Sequence, residues 1–324
     1  MKIVFIHSTY PAEAHRIHLR CVNLSRAINR LPQHHADLIT FNEFIQNTPA
    51  AEKACQAADV IVLHRHLYPA VVNSVYYWKA RDKKIIIDVD ISVETLMAEP
   101  ESFAHLHNSL PVNKQPRIDK LEQFRLSLRL ADAITVPTAR LAHEYQTYAQ
   151  TMIIPDAINT DEYLTPRVPD PSGRIWLGLG GEEINPCSLV STGLLEALQH
   201  VCALRPQVGV LMAGVNEMAE RELLPDLAED RKKIIPEVSF EQWIRLLAGV
   251  DIGLAPICPR QESHWSNIRV LEYMAMKIPW VASDSAPYQS VKRYGWITGN
   301  TVEAWEYILL ELIDHLPVYR AEAS

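Results

Sequence analysis

The stretch WSNIRVLEYMAMKIPWVASD, residues 265–284, runs from a polar loop through an apolar helix into a buried strand. Ser266 and Asn267 are residue types whose side chains accept hydrogen bonds from the first free N–H groups of a helix, so one of them starts it. Val270, Leu271, Met274 and Ala275 follow at helical spacing and form one apolar face. Pro279 then punctuates the run Ile278 to Ala282, which reads as a short buried strand. A helix N-terminus carries unpaired N–H groups and a partial positive charge, so the amides at Ser266, Asn267 and Ile268 suit a phosphate, and Arg269 adds a cation in the first turn. Glu272 lies about one turn further in. Its carboxylate either accepts from vicinal hydroxyls such as those of a ribose or is the solvated acid of an amphipathic helix.

Working outward, the same alternation fills the chain. Apolar runs at Lys2 to His7, Ala36 to Phe41, Val60 to His64, Lys84 to Val89, Ala133 to Val136 and Met152 to Pro155 alternate with helical segments near 15–30, 68–79, 115–130 and 139–149. Strands that read as continuous apolar runs between helices predict a parallel sheet covered on both faces, a Rossmann-like α/β domain. The proline-rich stretch LTPRVPDPSGR, residues 164–174, reads as a linker. Beyond it the alternation restarts at Ile175 to Leu179 and continues through Gln207 to Ala213, Lys233 to Ile235 and Ile252 to Pro256. The sequence thus predicts two Rossmann-like domains in series, at 1–165 and 170–302, with a C-terminal helix near 303–318 packing back on the first. Ligands of such sheets bind at the carboxyl ends of strands, so two facing sheets would enclose a central cleft.

Composition narrows the function. A chain of 324 residues exceeds the usual single domain and suits two of about 150 residues each. The net charge of −8 disfavours nucleic acid as a partner without removing a local basic groove. No window approaches the roughly 20 apolar residues of a membrane span, which points to the cytoplasm, with peripheral membrane contact left open. Five scattered cysteines without a CxxC pair read as reduced structural thiols. His64-x-His66 and His105-x-His107 lack a third ligand at a recognisable spacing, so no metal site is assigned. In IIIDVDIS, residues 85–92, Asp88 and Asp90 end a buried strand, where a carboxylate can cap the next helix. His15 and Arg16, in the first loop HSTYPAEAHRIH, and His64 and Arg65, after the third apolar run, are candidate contacts at the cleft edge.

These residues carry a resemblance. AGVDIGLAPI followed by SNIRVLEYMAMKIPWVASDSAPY, within residues 248–288, resembles the C-terminal signature of family 4 glycosyltransferases, retaining enzymes of the GT-B fold. ADAITVPTARLAHEY and MIIPDAINTDEY, within residues 131–163, resemble that family's segment closing the first domain. The resemblance implies a nucleoside diphosphate sugar (NDP-sugar) held by the second domain and a glycan, lipid-linked or other hydroxyl acceptor held by the first, with no metal and no cofactor beyond the substrate. Glu272 matches the second of the family's two motif glutamates, the one that grips the ribose. The first falls at His264, with Glu262 as a nearby acid that compensates if the loop bends. Ser266 to Ile268 match the loop whose amides meet the diphosphate, and Arg269 is the cation for the leaving phosphate. The glycine-rich turn GLGGEEINP, residues 178–186, keeps Gly180 and Gly181 but has Glu182 and Glu183 where relatives often carry basic residues. Some relatives place acidic residues where Asp88 and Asp90 stand, which implies carboxylates that orient an acceptor hydroxyl, and both join Arg269 as candidate catalytic groups. Three other readings stay open: a noncatalytic nucleotide-sugar binder, an NDP-sugar epimerase, and a glycosyltransferase acting on modified DNA bases.

Overall fold

A computed structural model describes residues 1–9, 14–66, 69–92, 120–181, 184, 186–214, 223–236, 238–258 and 266–323. The chain divides into two compact units, Met1–Asp156 and Ala157–Ser324. The division falls ahead of the expected boundary at 165–170, because the segment after Asp156 folds with the second unit. There Tyr163 is buried among apolar residues, the Val168 N–H donates to the Ala248 carbonyl at 2.7 Å, and the Trp176 indole donates to Asp170 at 2.8 Å.

The first unit is built on six parallel strands, β1 (Lys2–His7), β2 (His35–Thr40), β3 (Val60–His64), β4 (Lys84–Asp88), β5 (Ala133–Val136) and β6 (Thr151–Ile153), in the order β2-β1-β3-β4-β5-β6. Ile6, Ile61, Leu63, Ile85, Ile87 and Ile134 are fully buried between the sheet and its helices. The predicted single helix near 15–30 is composite: α1 (Ala14–Ile17), a π-helical turn at His18–Val22, and α2 (Asn23–Asn29). Such wide turns inside helices are frequent at functional sites. This one carries Arg20. Two short helices, α3 (Phe41–Ile45) and α4 (Pro49–Ala57), are followed by α5 (Pro69–Lys79), α6 (Lys120–Leu130) and α7 (Ala139–Tyr145). The sequence has no glycine before Gly173, so left-handed backbone in this unit falls on Gln33, Asn47, Arg65 and Asp82, with φ of 67°, 51°, 52° and 59°.

The second unit has strands β7 (Ile175–Leu179), β8 (Val208–Ala213), β9 (Lys232–Ile235), β10 (Ile252–Ala255), β11 (Trp280–Ser283) and β12 (Trp296–Thr298), all parallel, in the order β12-β11-β10-β7-β8-β9. The strand order reverses direction between β7 and β10. Doubly wound sheets open a ligand crevice at such a point, outside the carboxyl ends of the strands. This unit's described helices are α8 (Pro186–Val190), α9 (Leu194–Leu204), α10 (Phe240–Leu247), α11 (Ile268–Ala275), α12 (Val302–Asp314) and α13 (Leu316–Glu322). The expected C-terminal helix is α12, and it lies in this unit's own core: Trp305, Leu309, Leu312 and Ile313 are buried there. Cys21, Cys55 and Cys202 are thiols outside any disulfide, but Cys258 is disulfide-bonded, which corrects the expectation of five reduced thiols. Among the described residues no helix is long and apolar enough to cross a membrane.

Candidate functional site

At the switch point of the second sheet, β7 runs into Gly180 and Gly181 with φ of 148° and 90°, backbone that side chains rarely adopt. A Cβ on Gly181 would lie 2.5 Å from Trp243 Nε1, and one on Gly180 would strike the Ala213 carbonyl. The glycines therefore let the turn rest directly on the Trp243 indole. That indole, from α10, donates through Nε1 to Glu272 Oε2 at 3.1 Å, and the Tyr163 hydroxyl donates to Glu272 Oε1 at 2.8 Å. Glu272 is 1% exposed, so it is not the solvated acid of an amphipathic helix. Burial pushes the Tyr163 phenol well above its usual range, and the Glu272 charge adds to the effect.

Glu272 belongs to α11, the helix of the opening stretch. Asn267 occupies its N-cap position but makes no side-chain cap bond, whereas Ser266 Oγ accepts from the Ile268 N–H at 3.4 Å. The predicted side-chain cap is thus a loose turn. Arg269 is buried in the first helical turn. The Tyr273 hydroxyl is shared between the Leu254 carbonyl at 2.9 Å and the Gly178 carbonyl at 3.2 Å, and Gly253 leaves room for the Tyr273 ring. These bonds fasten α11 to β10 and β7, so the glycine turn and the helix keep a set relation. Glu182, Glu183, Glu262 and His264 lie outside the described residues.

In the first unit, Arg16, His64, Arg65, Asp88 and Asp90 gather at the carboxyl edge of the sheet, joined by Arg20 and Asp156. Arg20 Nε donates to Asp88 Oδ2 at 3.0 Å and a terminal nitrogen donates to Asp88 Oδ1, while its other terminal nitrogen reaches Asp156 Oδ1 at 3.1 Å and the Ile154 carbonyl at 2.6 Å. Thr135 donates to Asp88 Oδ1 at 2.6 Å. Arg16 bonds Asp156 Oδ2 at 3.3 Å and stands 3.7 Å from Asp90 Oδ2; Arg65 Nε lies 2.7 Å from Asp90 Oδ1. Three arginines thus meet three aspartates. Asp88 and Asp90 answer to different arginines instead of forming one carboxylate cluster, and among the described residues no group of His, Cys, Asp and Glu is arranged to hold a metal ion.

Burial alone would raise the Asp90 carboxyl, but Arg65 and then Arg16 and His64 hold it below the usual carboxylate range. Burial likewise disfavours the Arg20 charge, and Asp88, with Asp156 and Asp90, more than offsets it. His64 is pushed down to about 4 by burial, against the pull of Asp90 and Asp88, so its ring is neutral at pH 7 with Nε2 3.9 Å from Asp88 Oδ2. His15 is buried beside Arg16 on α1.

The structure adds four residues to these constellations beyond the sequence candidates: Arg20, Asp156, Tyr163 and Trp243. Arg20 was within reach of sequence reasoning, since Arg16 and Arg20 stand four apart, the spacing that places side chains on one helical face.

The chain's backbone matches solved structures over its whole length. HepE from Anabaena, in complex with UDP-glucose, superposes with a TM-score of 0.63 at 16% identity, covering 100% of this chain and 93% of that one. The architecture is GT-B-like. OtsA matches with a TM-score of 0.59 at 10% identity, covering 100% of this chain and 94% of that one. A UDP-GlcNAc 2-epimerase from Neisseria meningitidis, bound to UDP-GlcNAc, matches with a TM-score of 0.55 at 10% identity over the same shares, 100% and 94%. Identities this low establish a shared fold only. At the level of sequence the chain matches no protein-family model and no curated protein.

Proposed function

We propose that the protein is a glycosyltransferase that draws its sugar from an NDP-sugar. The observation that supports this best is the Gly180–Gly181 turn at the switch point of the second sheet, joined through Trp243 to the helix that carries Glu272 and Arg269. The turn permits close backbone approach, and the first turn of α11 offers amides and a guanidinium to a diphosphate. In this reading the anomeric C–O bond breaks with the nucleoside diphosphate as leaving group, and Arg269 with the amides near Ile268 stabilises the charge that builds on the phosphate oxygens. The acceptor hydroxyl adds to the anomeric carbon and its proton passes to the departing phosphate, so retention needs no dedicated base. No metal takes part. Asp88 and Asp90, held by arginines, shape the acceptor side electrostatically.

A second reading, epimerisation of the NDP-sugar itself, is favoured by the fold likeness to a UDP-GlcNAc 2-epimerase. One experiment addresses both. The melting temperature is followed across UDP-, GDP-, ADP- and TDP-sugars with and without EDTA, because a ligand of the folded state raises it. The stabilising donor is then incubated alone and with hydroxyl acceptors. Stabilisation by one nucleotide class, unaffected by EDTA, with turnover only when acceptor is present, supports transfer. A new NDP-sugar isomer without acceptor supports the epimerase, and no stabilisation by any donor removes both.

A further inference from the structure

The second unit holds a cavity of about 430 Å³ on the side of the sheet opposite the glycine turn, where β10 and β11 begin. That size lies within the range of small-ligand sites. Arg167, Lys277 and Arg320 line it, and Asp251 is the sole acid among its lining residues. Asp251 is 2% exposed and already committed: Oδ2 accepts from the Trp176 N–H at 2.8 Å, and Oδ1 alone receives both Arg167 and Arg320. Two guanidiniums crowd one oxygen, and burial together with Arg167 works against the Arg320 charge. Lys277 has no acid beside it in the lining. The remaining wall is largely apolar, with Pro166, Met276 and Ile278 among its residues.

Lys277 is informative for a second reason. It follows the last turn of α11 with φ of 55°, the left-handed position at which helices most often end on glycine. A lysine there carries backbone strain that glycine would not, and strain of this kind gathers at functional positions.

We propose that this cavity binds a small phosphomonoester whose ester group is apolar. Three cations against one carboxylate leave an excess of two positive charges, which a phosphomonoester dianion matches, while the apolar wall takes the ester group. The site is separate from the glycine turn. It nevertheless touches the same machinery, since Tyr163 lines the cavity and donates to Glu272, and residues 275–277 lie at the far end of α11.

The test is calorimetric titration of the full chain, in phosphate-free buffer, with phenyl phosphate and with inorganic phosphate, each repeated in the presence of UDP. Wild type is compared with Lys277→Gly and Arg167→Gln. The expected result is one saturable site for phenyl phosphate, tighter than for inorganic phosphate, still present with UDP, and weakened about tenfold by either substitution. Lys277→Gly should lose affinity while its melting temperature rises, so weaker binding cannot be blamed on poor folding. Four results would overturn the proposal: no binding of phenyl phosphate, displacement by UDP, affinity unchanged in both variants, or phenyl phosphate binding no tighter than inorganic phosphate.

Discussion

Arg20 grips both carboxylate oxygens of Asp88, and its remaining terminal nitrogen holds Asp156, so one guanidinium ties the ends of β4 and β6 together. All three side chains are buried. Removing the guanidinium would leave the buried Asp88 carboxylate with the Thr135 hydroxyl but no arginine bonded to it, and Asp156 with Arg16. Arg20→Ala is expected to destabilise the first unit by about 3 to 5 kcal/mol, and Arg20→Lys to recover only part of that, because an ammonium cannot span both acids. Urea unfolding followed by circular dichroism measures it; a loss below about 1 kcal/mol would mean that the carboxylates find other partners.

Glu272 anchors Tyr163 and Trp243, so its removal should be felt in stability as well as in ligand binding. Glu272→Ala leaves two buried donors without an acceptor and is expected to cost roughly 2 to 4 kcal/mol. A double-mutant cycle of Tyr163→Phe with Glu272→Gln should show a coupling of about 1 kcal/mol or more, and strict additivity would refute the link.

Acid should weaken the first unit before its carboxylates titrate. His64 is pushed down to about 4 and His66 to about 3, both by burial, while an unfolded histidine titrates near 6.5. The unfolded chain therefore binds protons that the folded one refuses, and stability falls as pH drops from about 6.5 toward 4, by about 1.4 kcal/mol per pH unit for each ring. Asp90, depressed in the folded state, adds a loss only below about 4. His66→Phe should flatten the slope of denaturation midpoint against pH between 4 and 6.5; an unchanged slope would place the proton uptake elsewhere.

Relief of left-handed strain offers a gain instead of a loss. Gln33 is exposed, with φ of 67°. Gln33→Gly is expected to stabilise by up to about 1 kcal/mol, read as a higher melting temperature.

The strands were the legible part of the sequence. Lys2–His7, Val60–His64, Ala133–Val136 and Ile175–Leu179 match their runs to the residue, because a strand buried on both faces has a continuous apolar interior. Trp296–Thr298 is not legible as a strand, because Trp296 and Ile297 are its only apolar residues and Gly295 and Gly299 bracket them. The helices α3 and α4 were readable in principle, since Thr40 with Glu43 forms a capping box and Thr48 precedes Pro49 at a helix start. In the site, the glycine turn and α11 could be found from local pattern. The Tyr163–Glu272 bond could not, because 109 residues separate its partners and only the folded sheet brings them together.

All eleven glycines lie in the second unit, beginning with Gly173. A chain without glycine has fewer backbone conformations to explore once unfolded, so the first unit surrenders less disorder per residue when it folds and regains less when it melts. A melting point moves by the free-energy change divided by the entropy of unfolding. An equal loss of interaction energy should therefore lower the melting point of the glycine-free unit further than that of its neighbour.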